Sequence, residues 1–234
     1  MDHSTGIIVH LASRPVEQYR RLGGLMVRVL KSAALALVIT SAPIYAQSVN
    51  ITADMTETSF PVKGQTVTIQ RNQDPTHLID PEFSKTSRAC PPFCVTPISA
   101  ADGVDTVGEL EVIDFLKTTV SSGTGLLLDT RTPEWFAKGS IPGALNVPSE
   151  TLEPKNPYRN EILRAFGGVQ NGEIWAFAAA TDLLLFCNGP WCDQSPRAIR
   201  GLLDAGYPAD KIKYYRGGIQ VWKLLGLTMT GANN

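Results

Sequence analysis

The chain of 234 residues is poor in histidine and carries almost no net charge. It has three histidines, and its 21 Lys and Arg residues nearly balance its 22 Asp and Glu residues, which leaves a net charge of -1. Such a chain lacks the excess of basic residues that marks nucleic-acid-binding proteins. No histidine follows His77, which argues against a catalytic Cys-His pair and leaves few ligands for zinc. We therefore expect no nucleic-acid partner, no metal and no cofactor.

The sequence also lacks an obvious run of ~20 apolar residues, the length that a membrane-spanning helix needs. A shorter apolar stretch, residues 33–40, lies within residues 26–46, which have the pattern of a secretory signal peptide. Arg28 and Lys31 provide its positive start, and a cleavage site follows Ala46. This pattern predicts a periplasmic or secreted protein with no membrane span in its mature form. An uncleaved anchor is the alternative.

The chain divides into four segments by composition. Residues 1–25 are unusually polar for the start of a signal peptide, and one hypothesis is that they are a gene-model extension, with Met26 as the true start. Residues 26–46 are the predicted signal peptide. Residues 47–104 are a predicted N-terminal extension, and residues 105–230 are the predicted main domain.

Four cysteines, all in the predicted mature chain, are the next informative feature. An even number of cysteines in an exported chain favours disulfides. Cys90 and Cys94 enclose a Pro-Pro-Phe loop that the prolines stiffen. The pair therefore indicates a small local disulfide; a thiol pair that exchanges with Cys187 and a metal site are the alternatives. Elsewhere in the extension, residues 60–70 alternate and are rich in β-branched side chains, which predicts strands or a hairpin.

The apolar run at residues 183–186 leads directly into Cys187. Apolar runs of this length between turn residues are typical of buried parallel strands. Ser195 and Pro196 then predict the N-cap and first position of a helix. The Cys187 thiol is thus expected at the C-terminal end of a strand, facing a helix N-terminus. Open α/β sheets bind ligands at this edge, and a helix N-terminus stabilises a sulfur anion.

The rest of the main domain alternates between strand and helix patterns, which favours a parallel sheet with helices on both faces. Strands are predicted at residues 125–129, 145–147, 183–186 and 211–215, and helices at residues 106–120, 161–166, 171–180 and 219–225.

Two further segments carry a family resemblance. Residues 126–148 contain Asp-Thr-Arg, Glu-Trp and Gly-Ser-Ile-Pro-Gly-Ala-Leu-Asn-Val-Pro in succession, and residues 215–222 read Tyr-Arg-Gly-Gly-Ile-Gln-Val-Trp. With the Cys187 loop, they resemble the three signature motifs of the rhodanese family, in which Ser140 stands where the family has histidine. The resemblance covers about residues 105–228. It implies an α/β fold, a parallel sheet with helices on both faces, here preceded by a small β-containing N-terminal extension.

The resemblance implies that the domain is a sulfurtransferase, similar to thiosulfate sulfurtransferases, or a sulfur carrier. Its cysteine would hold sulfane sulfur as a persulfide, with a small sulfane-sulfur donor and a thiol acceptor as partners. In the expected site, Cys187 is the catalytic residue. The loop that binds the anion consists of Asn188, Gly189, Trp191, Cys192, Asp193, Gln194 and Ser195. The residues expected to support this loop are Asp129, Arg131 and Arg216.

The loop departs from the family pattern. Seven residues separate Cys187 from Ser195, where active rhodaneses usually have five, and none of the seven is Lys or Arg, while Asp193 adds a negative charge. An anion would therefore depend on backbone N–H groups, the helix dipole, and Arg131 or Arg216. For Arg131, a structural salt bridge is an equal alternative. Asp129 could orient the loop, but a strand-end Asp more often caps a following turn or helix. Trp191 either walls the pocket or covers it.

Cys192 supports a second interpretation, because it follows Cys187 by five positions in one loop. Two cysteines this close can form a disulfide if the loop folds back, and a resolving thiol would release the outer sulfur of a persulfide. The chain is then a thiol-disulfide redox protein, with a possible redox protein partner. A non-catalytic binding module is the third interpretation. The Cys-x5-Arg motif of the phosphatases on this fold is absent, because position 193 is Asp.

Overall fold

The computed structural model describes residues 48–231. The predicted signal peptide and the segment before it lie outside the described residues. No helix among residues 48–231 is long and apolar enough to cross a membrane.

Strands and short helices make up this part of the chain. The strands are β1 (Glu57–Val62), β2 (Gln65–Gln70), β3 (Asp105–Val107), β4 (Gly125–Asp129), β5 (Leu145–Asn146), β6 (Val169–Asn171), β7 (Ile174–Ala176), β8 (Asp182–Phe186) and β9 (Ile212–Tyr215). The helices are α1 (Pro81–Ser84), α2 (Glu109–Phe115), α3 (Pro133–Ala137), α4 (Arg159–Ala165), α5 (Gln194–Asp204) and α6 (Gly218–Leu224); a π-helical turn, Leu116–Val120, continues α2, and 3-10 turns lie at Ser149–Leu152 and Ala209–Lys211.

A parallel five-stranded sheet in the order β3-β9-β8-β4-β5 forms the centre of the fold. The apolar run of β8 is buried on both sides, and its side chains alternate between two cores. Leu184 and Phe186 pack with Trp222 of α6 in the first core. Leu183 and Leu185 pack with α4 and α5 in the second. This two-sided burial explains why the strand is apolar at every position rather than at every second one, and the predicted fold class is confirmed.

The predicted N-terminal hairpin is also confirmed, with β1 and β2 pairing antiparallel. Its turn residues, Lys63 and Gly64, both have positive φ, 49° and 80°, which matches the twist of the flanking strands. Phe60 and Ile69 of the hairpin are buried in the first core of the sheet. The extension is therefore packed onto the main domain by its own apolar face.

Two predicted helices differ in the structure. The segment predicted as a helix over residues 106–120 begins as β3, because Val107 pairs with Tyr215 of β9, and the helix starts only at Glu109. The helix predicted over residues 171–180 is wrong, since β6 and β7 form a hairpin there. Gly172 turns that hairpin with a φ of 64°, a conformation that helices do not use and that glycine adopts without strain.

Candidate active site

Cys187 follows the last residue of β8, the middle strand of the sheet. The neighbouring strand β4 ends in register with it, because Asp129 pairs with Phe186, so the loops after both strands leave the same edge of the sheet. Helix α5 begins at Gln194 and returns over this edge. The thiol thus lies at the C-terminal end of the sheet, as the sequence predicts, but Cys187 is only 2% exposed.

The start of α6 fixes the backbone of Cys187. The N–H of Ile219 donates to the carbonyl oxygen of Cys187 at 3.0 Å, and the N–H of Gln220 donates to that of Asn188 at 2.9 Å. Gly218 has a φ of 56°, and a Cβ there would lie 2.3 Å from the Cys187 oxygen. Gly218, the second glycine of the Gly-Gly pair, is therefore needed for close approach between helix and loop.

Ser195 has a different role from the predicted N-cap. Helix α5 begins at Gln194, two residues before the predicted first position at Pro196, so Ser195 lies inside the first turn and is fully buried. Its hydroxyl is 2.8 Å from that of Thr130 in the loop after β4. Its backbone N–H and its hydroxyl both act to lower the pKa of the Cys187 thiol. The Thr130 hydroxyl is also placed to donate to the carbonyl oxygen of Phe186 at 3.0 Å, so it can hydrogen-bond with Ser195 as donor or acceptor.

The surroundings of Cys187 lower its pKa. Burial is the largest single influence and raises the pKa. It is outweighed by hydrogen bonds to the sulfur from the Cys192 thiol, from the backbone and hydroxyl of Ser195, and from the backbone of Gly189. In the neutral state the Cys187 thiol instead donates to the Cys192 carbonyl oxygen at 3.3 Å. The loop therefore stabilises a thiolate with neutral donors rather than with a nearby cation.

Cys192 is the partner of Cys187 in this arrangement and remains a thiol. Burial raises the pKa of Cys192 well above its usual value, and the hydrogen bond to Cys187 and the negative charge there raise it further. Its thiol also lies 3.2 Å from the side-chain oxygen of Gln194, to which it can donate. Both cysteines are unpaired and buried, so the site holds one nucleophilic sulfur and one protonated sulfur side by side.

The lowered pKa of Cys187 predicts that its alkylation rate rises through a midpoint below the pH at which an ordinary thiol ionises. We expect Ser195→Ala to shift this midpoint upward, because one donor to the thiolate is lost. The measurement is the rate of carboxamidomethylation of the Cys187 peptide from pH 5 to 10, about the range over which cysteine pKa values vary. Thr130→Val is the matched control, since it removes the hydroxyl contact but leaves the Ser195 donor; an equal shift in both variants would contradict the assignment.

Asp129 and Arg131 form a buried ion pair beneath the site. The Arg131 guanidinium lies 2.5 Å from the Asp129 carboxylate, with side-chain exposures of 1% and 0%. Arg131 also donates to the carbonyl oxygen of Gly139 at 2.7 Å. Ser140, which stands where the family has histidine, donates to Asp129 at 2.7 Å. The structure thus places Arg131 in the structural salt bridge that the sequence left as one of two alternatives.

The other arginines near the loop are engaged elsewhere. Arg216 donates to the carbonyl oxygens of Thr96 and Pro97, at 2.7 and 3.0 Å. Arg197 pairs with Glu153 and with Asp193, the exposed residue before α5. None of these contacts involves the Cys187 sulfur. The hydrogen bonds of Arg216 hold residues 96 and 97 and do not provide the anion-binding role that the sequence predicts for it.

The N-terminal extension supplies neighbours of the loop that the sequence did not reveal. Cys90 and Cys94 are joined by a disulfide, and the ring of Phe93 between them packs edge-on against Trp191, 5.6 Å between centroids. Arg88 stacks its guanidinium over the same indole at 4.2 Å. The indole nitrogen of Trp191 donates to Gln220 at 2.7 Å. Trp191 therefore joins the loop to the extension on one side and to α6 on the other.

Thr96 is a second link, and nothing in its sequence neighbourhood indicates it. Its N–H and its hydroxyl both donate to the carbonyl oxygen of Pro190, at 2.8 and 2.9 Å. Of the remaining loop residues, Gly189 accepts a bond from the Cys192 N–H at 2.9 Å. Asn188 is buried, and its side-chain oxygen has no partner among the described residues.

Comparison with known proteins gives one family. The profile described as rhodanese-like domain matches residues 113–225. Among curated proteins, a helix-turn-helix-type transcriptional regulator of Mycobacterium tuberculosis is 27% identical over 106 residues, which are 45% of this chain and 38% of the regulator. The chain therefore spans well under half the length of that relative.

Solved structures give partial matches. A human single-domain sulfurtransferase is 25% identical, covers 52% of this chain and 96% of its own, and superimposes with a TM-score of 0.36. A thiosulfate sulfurtransferase of Pseudomonas aeruginosa is 22% identical, with 57% of this chain and 21% of that chain covered and a TM-score of 0.40.

Proposed function

Residues 113–225 form a rhodanese-like domain, and from this premise we propose that the protein is a sulfurtransferase or sulfur carrier that holds sulfane sulfur as a persulfide on Cys187. The domain supports sulfurtransferase-type function in general. The observation that carries the specific proposal is the set of hydrogen-bond donors around the Cys187 sulfur, which lowers its pKa. A thiolate, not a thiol, is the nucleophile in such chemistry.

The proposed first step uses a small anionic donor such as thiosulfate. The Cys187 thiolate attacks the outer sulfur of the donor, the sulfur–sulfur bond of thiosulfate breaks, and sulfite leaves with the electron pair. Cys187 then carries one additional sulfur, as a persulfide anion. The donors that stabilise the thiolate, from Ser195, Gly189 and Cys192, are placed to stabilise this anion as well.

Two routes would remove the sulfur. An external acceptor thiolate attacks the outer sulfur and restores the Cys187 thiolate. Alternatively, Cys192 loses its proton and attacks the inner sulfur, which releases hydrosulfide and leaves a Cys187–Cys192 disulfide for a dithiol reductant to reduce. The two thiols are buried in one loop, five positions apart, which supports the second route and also the second candidate function, thiol-disulfide exchange by the Cys187–Cys192 pair.

We place this chemistry in the periplasm or outside the cell, with a small sulfane-sulfur donor and a thiol acceptor as partners. The support is the signal-peptide pattern of residues 26–46 and the disulfide between Cys90 and Cys94, since disulfides persist in oxidising compartments. Cell fractionation tests this location directly.

The experiment that tests the function is intact mass spectrometry after incubation with thiosulfate, carried out both with the Cys90–Cys94 disulfide intact and after that disulfide has been reduced and the reductant removed. We expect a gain of one sulfur atom that maps to the Cys187 peptide and disappears on reduction. A Cys187–Cys192 disulfide without sulfur gain would support the redox function instead. Neither product in a folded protein would refute both and favour a binding module.

We expect Cys192→Ser to lengthen the lifetime of the persulfide, because the neighbouring sulfur that can displace hydrosulfide is gone. A serine hydroxyl keeps a hydrogen-bond donor beside Cys187, so sulfur uptake should continue. The measurement is the decay of the sulfur-loaded mass over time after the donor is removed. An unchanged lifetime would exclude Cys192 as the resolving thiol.

A further inference from the structure

Residues 88–97, which we call the cover segment, lie against the loop that holds the reactive thiol. The disulfide closes a five-residue ring in its middle, with Phe93 at the ring's edge against Trp191. Thr96 at its far end makes two hydrogen bonds to Pro190. The loop residues contacted, Pro190 and Trp191, both lie between Cys187 and Cys192 in the sequence.

Both ends of the cover segment are anchored independently of the disulfide. Arg88 donates to the carbonyl oxygen of Glu82 and stacks on Trp191. At the other end, Arg216 binds the carbonyl oxygens of Thr96 and Pro97. Between these anchors, the disulfide is the covalent constraint that restricts the part of the segment carrying Phe93.

The two thiols of the supported loop are closed to solvent in this arrangement. Cys187 is 2% exposed and Cys192 is 6% exposed, whereas a donor or acceptor must reach a sulfur atom within bonding distance. On the side of α6, the backbone of the loop is held by hydrogen bonds from Ile219 and Gln220. The cover segment is the neighbour with few buried contacts of its own, since Phe93 is 38% exposed and Val95 is 82% exposed.

We infer that the cover segment is a redox-controlled gate, closed when Cys90 and Cys94 are joined and opened when they are reduced. This inference rests on the proposed function in taking Cys187 as the reacting thiol. Opening frees the ring that holds Phe93 on Trp191, so the 188–194 loop loses its outer support and admits a donor. The disulfide is then a control element for the site rather than only a staple of the extension.

The opening step is an exchange with a dithiol reductant. Cys90 is exposed, and Cys94 is half-buried, so a thiolate of the reductant attacks the Cys90 sulfur and Cys94 leaves as a thiolate. The second thiolate of the reductant then attacks the mixed disulfide and releases Cys90. The protein gains two electrons and two protons as two thiols, and the dithiol becomes a disulfide.

The test is the rate at which iodoacetamide alkylates Cys187 in the purified full chain, followed by mass spectrometry of the Cys187 peptide. We expect the Cys90→Ser/Cys94→Ser variant to react about tenfold faster than the oxidised wild type, equivalent to about 1.4 kcal/mol. Phe93→Ala, with its disulfide intact, should also accelerate the reaction. Wild type reduced with a dithiol and desalted should react fast, and should slow again once the Cys90–Cys94 disulfide re-forms.

Ser59→Ala is the matched control, because it removes a side-chain contact with Thr68 in the extension's hairpin and leaves the cover segment untouched. Its alkylation rate should equal that of wild type. Equal rates in the oxidised wild type and in both cover variants would overturn the gate. Since alkylation needs no sulfur donor, a fast-reacting reduced form that gains no sulfur from thiosulfate would refute the proposed function while leaving the gate standing.

Discussion

Cys187→Ser should abolish the uptake of sulfane sulfur completely. A hydroxyl in place of the thiol keeps the size and hydrogen bonding of the side chain but is not ionised near neutral pH, so it cannot form the bond to sulfur. The measurement is the intact mass after incubation with thiosulfate. The variant should show no increase by the mass of one sulfur atom. The expected effect is all or none, which makes it the largest that the proposed function predicts.

The control for this variant is Cys192→Ser, which changes the neighbouring sulfur by the same chemistry and should still take up sulfur. Both variants should unfold at similar denaturant concentrations, because each exchange replaces a small buried side chain by one of nearly equal size. A Cys187→Ser protein that still gains a reducible sulfur atom would place the acceptor on Cys192 or on a reduced Cys90–Cys94 pair, and the assignment of Cys187 would be wrong.

Arg131→Ala should lower the free energy of unfolding by about 3–5 kcal/mol, the cost of removing one partner of a buried ion pair. Asp129 is fully buried and would keep only the Ser140 hydroxyl and the Arg131 backbone N–H as donors. The same turn positions Thr130, whose hydroxyl contacts that of Ser195, so the reactivity of Cys187 should fall as well. Equilibrium unfolding in urea measures the first effect.

Lys213→Ala is the matched comparison, since Lys213 and Asp105 form an ion pair with side-chain exposures of 39% and 78%. Exposed pairs contribute about 0–1 kcal/mol, so this variant should unfold nearly like wild type. If Arg131→Ala destabilised the protein no more than Lys213→Ala does, the Asp129–Arg131 pair would not be the structural support that its burial indicates.

The hairpin at residues 169–176 shows where sequence patterns fail. Its apolar residues, Val169, Ile174, Trp175 and Ala176, show no clear period, and the helix prediction overlooked Asn171-Gly172, a dipeptide that favours a hairpin turn. The decision came from Gly172, whose positive φ makes the turn, and from the stacking of Trp175 on Phe177, 6.1 Å between centroids. Local propensity is weak evidence in such a segment, because packing against the rest of the protein outweighs it.

The sequence by itself determined the sheet and the position of Cys187. A fully apolar run such as residues 183–186 is stable only when both of its faces are covered, and that requirement specifies a central parallel strand. The Gly-Ser-Ile-Pro-Gly and Gly-Gly-x-x-x-Trp motifs can also be read directly from the sequence. Gly218 in the second motif must be glycine because no Cβ fits beside the Cys187 carbonyl oxygen. These are local constraints that each segment carries in its own residues.

Only the tertiary structure decided what surrounds the thiol. The donors to the Cys187 sulfur, the buried partner of Arg131 and the cover segment all depend on three-dimensional contacts, and the Thr96–Pro190 contact joins positions 94 apart in the sequence. Such contacts leave no periodic pattern in the sequence, because one hydrogen bond or ring contact involves only one residue in each of the two segments that it joins. The sequence motif therefore supplies the cysteine, whereas its lowered pKa and its access to solvent are set by the fold.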